Sequence, residues 1–277
     1  MQETEIGLLQ KLTAQLDEDG HVSYQLPIGD QRIALNPLIG KTLTLHFHGT
    51  IACKHCGRKT KKSYSQGFCF PCMQKLAQCD LCIMKPETCH HHLGTCREPE
   101  WGVQHCMVHH YVYLANTSGV KVGITRHTQI PTRWIDQGAI QALPIFKVST
   151  RLQSGLVEIA LAEFINDKTN WRTMLKGGNE PIDLLAKAAT LKPLIAEKLS
   201  ELALKFGADA IEELHESVVN IHYPVQEYLT KISSFNLDKT PIVSGILLGI
   251  KGQYLIFEKG VINMRKYSSY QISAQFD

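Results

Sequence analysis

Two short cysteine pairs, Cys53–Cys56 and Cys69–Cys72, stand twelve residues apart, and this spacing constrains the chain more than any other feature of it. Four thiolates from two such knuckles can surround a tetrahedral d¹⁰ cation, and Gly57 and Gly67 supply the tight turns that knuckles need. A closed, structural Zn²⁺ site is expected. A second group follows at once: Cys79, Cys82, Cys89, Cys96 and Cys106, interleaved with His90, His91, His92, His105, His109 and His110. These exceed the four ligands of one zinc, so the segment holds either one site with spare residues or two sites. Cys79 and Cys82 are expected to act as partners, with Cys89, Cys96, Cys106 and His109 competing for the remaining places. His90–His92 read as a polar turn.

All nine cysteines fall within residues 53–106. The chain opens without the charged segment and apolar stretch that direct secretion, so reduced, metal-binding thiols and a cytoplasmic location are expected rather than disulfides. No apolar run approaches the roughly 20 residues of a membrane helix. With 277 residues, 44% of them hydrophobic, the chain can bury a sizeable core. A net charge of +3 does not by itself imply a nucleic-acid partner, but its distribution is suggestive. Lys54, Arg58, Lys59, Lys61 and Lys62 lie between the knuckles in the company of Tyr64, Phe68 and Phe70. That mixture suits phosphate contact combined with base stacking, and equally a solvated charge run.

The pattern divides the chain into five parts of an α+β protein. Residues 1–52 are strand-rich, with HVSYQLPI, QRIALNP and KTLTLHFHGTIAC broken by turn residues after an amphipathic opening from Glu5 to Leu16. Residues 53–110 are the zinc-binding region. Residues 111–178 open on a hairpin, YVYLA and VKVGIT, and continue with a helix start at Pro131 and a strand, PIFKVST. They then form a helix, LVEIALAEFIND, with Leu156, Ile159, Ala160 and Phe164 on one face. Residues 179–235 are a helical segment, helical from Glu180 to roughly Leu214 with breaks near Lys192–Pro193 and at Gly207. Residues 236–277 are short strands between glycines and could complete one barrel with residues 1–52.

The run YVYLANTSGVKVGITR followed by PTRW resembles the core hairpin of the GIY-YIG nuclease superfamily. YVY stands in the place of the first motif and KVG in that of the second. The leading glycine is replaced, the second tyrosine is Lys121, and Arg133 to Glu158 is a short interval. The resemblance implies that Tyr113 is the first-motif tyrosine, Gly123 the motif glycine, Arg133 the helix arginine and Glu158 the metal-binding glutamate, with Glu163 as an alternative ligand. It also implies that Asn170, in TNWRTML, lies near the site. Phosphodiester hydrolysis needs a deprotonated water, a divalent cation and a positive group to meet developing charge. Those roles fall to Tyr111 or Tyr113, to Mg²⁺ or Mn²⁺ on Glu158, and to Arg133 assisted by Lys121 or Arg126. Over its whole length the chain also resembles an uncharacterised bacterial family, a domain of unknown function.

The expectation is therefore a zinc-containing protein that binds DNA or RNA, in its sharpest form a structure-specific nuclease. A non-catalytic nucleic-acid adaptor and a zinc-organised protein-interaction module are the alternatives.

Overall fold

The longest strand, Thr42–Ala52, occupies the middle of a sheet built from both ends of the chain. A computed structural model describes residues 2–165 and 169–277. Thr42–Ala52 pairs antiparallel with Ile242–Lys251 on one side and Tyr270–Phe276 on the other, so that Leu45 faces Val243 and Ala274. Side chains alternate across a strand, which sends Leu43 and Leu45 into the core and leaves Thr42 exposed. Hairpins continue the sheet to Tyr254–Phe257 and Gly260–Asn263. The amphipathic opening forms short strands, Gly7–Leu8 and Thr13–Leu16, and the latter joins Val22–Ile28 and Gln31–Ala34 in a separate small sheet. The Gln253 side chain fastens this region to the terminal sheet by accepting from Leu12 N at 2.8 Å and donating to Leu12 O at 3.0 Å.

A second sheet lies between this assembly and the helices. Its hairpin, His110–Asn116 and Val120–Arg126, places Tyr113 opposite Gly123; Gln141–Val148 pairs along the other side, and Ile211–Glu213 follows at the edge. Both faces of the central strand are covered. Val112 and Leu114 pack with Val157, Leu161, Leu184 and Leu202 of the helices. Tyr113 and Ala115 face the other way, into a core shared with Leu43, Leu45, Trp134 and Ile135. That is why the strand reads as a continuous apolar run rather than an alternating one.

The helix beginning at Arg151 is rotated from the expected face. It spans Arg151–Ala162 and buries Ser154, Val157, Ala160 and Leu161, whereas Ile159 and Phe164 are nearly half exposed. Its N-terminal half seats on the turn Pro86–Thr88, where a Cβ on Gly155 would stand 2.4 Å from Glu87 N. This contact with the cysteine-rich region fixes the buried stripe. Thr150 and Gln153 form a capping box at the helix start. The expected end of this helix at Asn166–Asp167 lies outside the described residues.

The helical segment divides where Pro193 and Gly207 suggest, into Leu184–Leu191 and Ala196–Phe206, but it is shorter than expected: Gly207 at φ +101° closes it, and Ile211–Glu213 is a strand because it pairs with Phe146–Val148 at the sheet edge. The cysteine-rich region holds only two short α-helices, Phe70–Lys75 and Pro99–His105, joined by single turns. Among the described residues, no helix is long and apolar enough to cross a membrane.

Candidate active site and metal centre

The knuckles bring Cys53, Cys56, Cys69 and Cys72 together with all four sulfurs within 4.8 Å of one another. Cys56 Sγ and Cys69 Sγ are 3.7 Å apart. Zn–S bonds of about 2.3 Å in a tetrahedron set sulfurs about 3.8 Å apart, so the donor set and its dimensions fit structural zinc. Burial works against charge on the Cys53 thiol, but backbone N–H groups of Cys56, Cys69 and His55 point at its sulfur and bring it down to about 6. The crowded sulfurs act the other way on Cys72: burial and its three cysteine neighbours push its thiol up, as four close thiols do to one another unless a cation joins them. The finger is docked on the terminal sheet through Ser63 Oγ to Ser268 O at 2.9 Å and Ser269 Oγ to Gly67 O at 3.0 Å.

Cys79 does not join Cys82. It packs beside Cys53, Cys69, Leu76 and Cys72, whereas Cys82 packs with Cys89 and Cys106 under Trp101 and Leu152. The intervening Asp80 forms the N-cap of a turn and an ion pair with Arg97 at 2.7 Å, which turns the two cysteines toward different clusters. Cys96 is half-buried with its thiol toward Glu98 O at 3.6 Å. His109 is exposed and outside both candidate metal groups among the described residues; its carbonyl accepts from His127 N. His90, expected in a plain turn, instead approaches Asp80 and Cys82 closely enough to form the second of those groups.

A cleft of about 400 Å³ opens where the hairpin, the helix Thr132–Asp136 and the helix Arg151–Ala162 meet. Lys121, Gly123, Arg126, Arg133, Arg151 and Glu158 all line it. Tyr113 lies directly beneath, fully buried, its ring crossing the facing glycine so closely that a Cβ on Gly123 would stand 2.7 Å from the phenol oxygen. Any larger residue there would displace the tyrosine. Gln137 Nε2 donates to the phenol at 2.7 Å. Burial raises the Tyr113 pKa, and the Arg133 charge and the Gln137 hydrogen bond oppose that rise, while Glu158 adds to it. The phenol is thus within electrostatic reach of both Arg133 and Glu158. Arg151 is anchored by Nη2 to Ile83 O at 2.7 Å, and His105 stacks on Trp101 along the same wall.

Other expected site residues lie elsewhere. Glu163 lines a separate apolar cleft with Ile159, Phe164 and Leu194, so of the two candidate glutamates only Glu158 shares the cleft with Arg133. Tyr111 is partly buried opposite Lys147 and Thr125 and does not line the cleft. Asn170 does not line it either: its side chain accepts from Arg172 N and Thr173 N at 3.1 and 3.2 Å as the N-cap of the helix Trp171–Leu175. Two cleft arginines escaped the sequence reading. Arg151 sits behind an unremarkable helix start, and Arg265 arrives from the C-terminal sheet. Charge alone marked them, and charge is common on surfaces.

The chain is an α+β protein in which a zinc-compatible four-cysteine cluster and a hairpin-and-helix unit both pack on a sheet drawn from both ends of the chain. The chain belongs to the family described as "Protein of unknown function (DUF2797)", whose model matches residues 40–272. Neither curated proteins nor solved structures gave a match.

Proposed function

We propose that this is a zinc-containing nucleic-acid-binding protein whose central unit is a GIY-YIG-like, divalent-metal-dependent phosphodiesterase. One observation carries the reading: Tyr113 packed on Gly123, with Arg133 and Glu158 opening into a single cleft. The hairpin itself holds the two motifs together, but the helix arginine and the glutamate come from two further stretches, and ordinary core packing does not require both to open beside it. Arg133, Arg126 and Arg151 form a positive wall that suits a phosphodiester, and Glu158 is a carboxylate in its midst. One carboxylate together with substrate oxygens suits Mg²⁺ or Mn²⁺, which would polarise the phosphate when bound. Arg133 then holds the phosphate and meets charge developing on it. Lys121, buried at the cleft floor, adds a further cation near the same point. The Tyr113 phenol accepts from Gln137 and is buried behind Gly123, so its part in this reading is to support the cleft from beneath rather than to activate water at the surface.

The burial of Tyr113 and its raised pKa also favour a second reading, in which the cleft binds nucleic acid without cutting it. The two separate on a panel of branched, flapped and single-stranded DNA and RNA with each metal. Cleavage is expected to require Mg²⁺ or Mn²⁺ and to vanish in Glu158→Ala and Arg133→Ala, with Glu163→Ala unaffected. Binding should weaken in Arg133→Ala and stay equal or strengthen in Glu158→Ala, because the latter removes negative charge from a phosphate site. Binding without cleavage across the panel would leave the adaptor reading.

A further inference from the structure

Resting on that reading, we propose that the Arg133–Glu158 cleft is the first half of a longer track. The track continues beneath the zinc knuckles and seats one strand of single-stranded nucleic acid, with Arg265, Lys11 and Lys54 contacting successive backbone phosphates. A second cleft, of about 760 Å³, adjoins the first: Gln78, Gln129 and Arg265 line both. Its lining includes three cations, Lys11, Lys54 and Arg265, and no carboxylate among the described residues. Asp136, behind this lining, offsets the charge of Lys11 and Arg265 in part, and the cleft keeps a net positive charge toward an anion.

Their placement is organised from behind. Asp136, almost wholly buried, accepts from Lys11 Nζ at 2.8 Å, lies 3.9 Å from Arg265 Nη1 and receives Gln253 Nε2 at 2.8 Å. A single internal carboxylate thus positions two cations at the seam between the clefts. The far end is set by the metal cluster. Lys54 and His55 lie between the ligands Cys53 and Cys56, and Gln66 lies shortly before Cys69. Lys54 Nζ donates to Gln66 O at 3.2 Å, and Arg265 Nε donates to the Gln66 side chain. Lys54 also lies 4.1 Å over the ring of the buried Phe68, which holds the cation at the cleft wall. Lys59, Lys61 and Lys62, the finger cations that looked best suited to this task in sequence, are exposed and line neither cleft.

The capacity argues for a strand rather than a duplex. Each cleft falls in the roughly 300–1,000 Å³ range that encloses a drug-sized molecule, which is a nucleotide or two of one strand and far less than the body of a double helix.

The test is fluorescence anisotropy on full-length, zinc-loaded protein without added magnesium or manganese. The probes are labelled single strands of about 4 and about 12 nucleotides, spanning the usual single-strand site sizes, and a duplex of the longer sequence. Wild-type protein should prefer the longer single strand. Lys54→Gln and Arg265→Gln should each weaken it roughly five-fold near 0.1 M salt and reduce the slope of log K against log salt by about 0.7. The shorter strand should be affected less, because it can be held by one cleft. Zinc content and melting temperature serve as folding controls; if Arg265→Gln melts, Lys54→Gln decides alone. An unchanged affinity and salt slope in Lys54→Gln, with Arg133→Ala still weakening the complex, would overturn the track and leave the proposed function standing. A duplex bound more tightly than the single strand would also overturn it. If wild-type protein binds none of the probes, both the track and the reading it rests on fall.

Discussion

The four-cysteine cluster and the cleft beside it are built by opposite strategies. The cluster draws every donor from residues 53–72, so the chain need only turn back on itself twice for the sulfurs to meet. The cleft draws its residues from the hairpin, from two helices, from the cysteine-rich region at Pro86, Trp101 and His105, and from the C-terminal part of the chain at Arg265. A local site can persist when its surroundings loosen, because metal binding itself supplies the folding free energy. A site assembled from distant segments exists only while the whole core holds. In this protein the two are also joined, because the helix Arg151–Ala162 that carries Glu158 seats its Gly155 on the cysteine-rich turn at Pro86–Thr88.

The strongest way to probe that difference is to remove one sulfur. Cys56 is exposed, so Cys56→Ser leaves no cavity in the apolar core. It should nonetheless abolish stoichiometric zinc in metal analysis and unfold the finger, because structural zinc contributes roughly 10–16 kcal/mol in isolated fingers. If the two regions are coupled as described, the melting temperature of the whole protein should fall as well. A wild-type protein free of zinc after reductive purification would break the comparison at its root.

A second, smaller effect lies at the junction of the two regions. His110 begins the central strand and is fully buried; its Nδ1–H donates to Val108 O at 2.7 Å. Burial, opposed in part by that hydrogen bond, lowers its pKa to about 4 from 6.5. The unfolded chain therefore binds more protons between these values. Stability is fully present above about pH 6.5 and declines as pH falls toward 4, by about 3 kcal/mol from this group. Denaturant unfolding of wild type and His110→Gln across that window should show the variant with a shallower acid loss.

The smallest stability effect belongs to the cleft. Gly123→Ala places a methyl 2.7 Å from the Tyr113 phenol and should cost about 1–3 kcal/mol by overpacking. Its functional consequence should be disproportionate, because the displaced tyrosine no longer sits below Arg133 and Glu158. An unfolding curve and a binding titration on the same preparation separate the two effects. A stability loss of this size with unchanged binding would mean that the Tyr113–Gly123 pair is a packing device alone.

Much of this was legible in the chain itself. The knuckle spacing, the hairpin and the helix breaks at Pro193 and Gly207 are all short-range features, written in turn residues and side-chain period; the register that sets Tyr113 opposite Gly123 came from the structure. Also legible was the strand character of both ends, although period alone could not say that Thr42–Ala52 would lie between Ile242–Lys251 and Tyr270–Phe276. Sequence spacing misjudged Cys79, because it counts residues and ignores the turn capped by Asp80 that sends Cys79 and Cys82 in different directions. It misjudged the buried face of the Glu158 helix for a related reason. Ile159 and Phe164 have the right period for burial, but the contact of Gly155 with another region decided which stripe turned inward.

The sequence by itself determined the four cysteines of the zinc-compatible cluster and the residue types the cleft would need, because covalent neighbours fix the first and chemistry the second. Tertiary structure alone decided that Glu158 rather than Glu163 opens beside Arg133, that Asn170 is spent on capping a helix, and that Arg265 and Arg151 join the wall. Each of those outcomes depends on how two elements far apart in the chain pack, and the free energy that selects one packing is spread over the whole shared core rather than stored in any local motif.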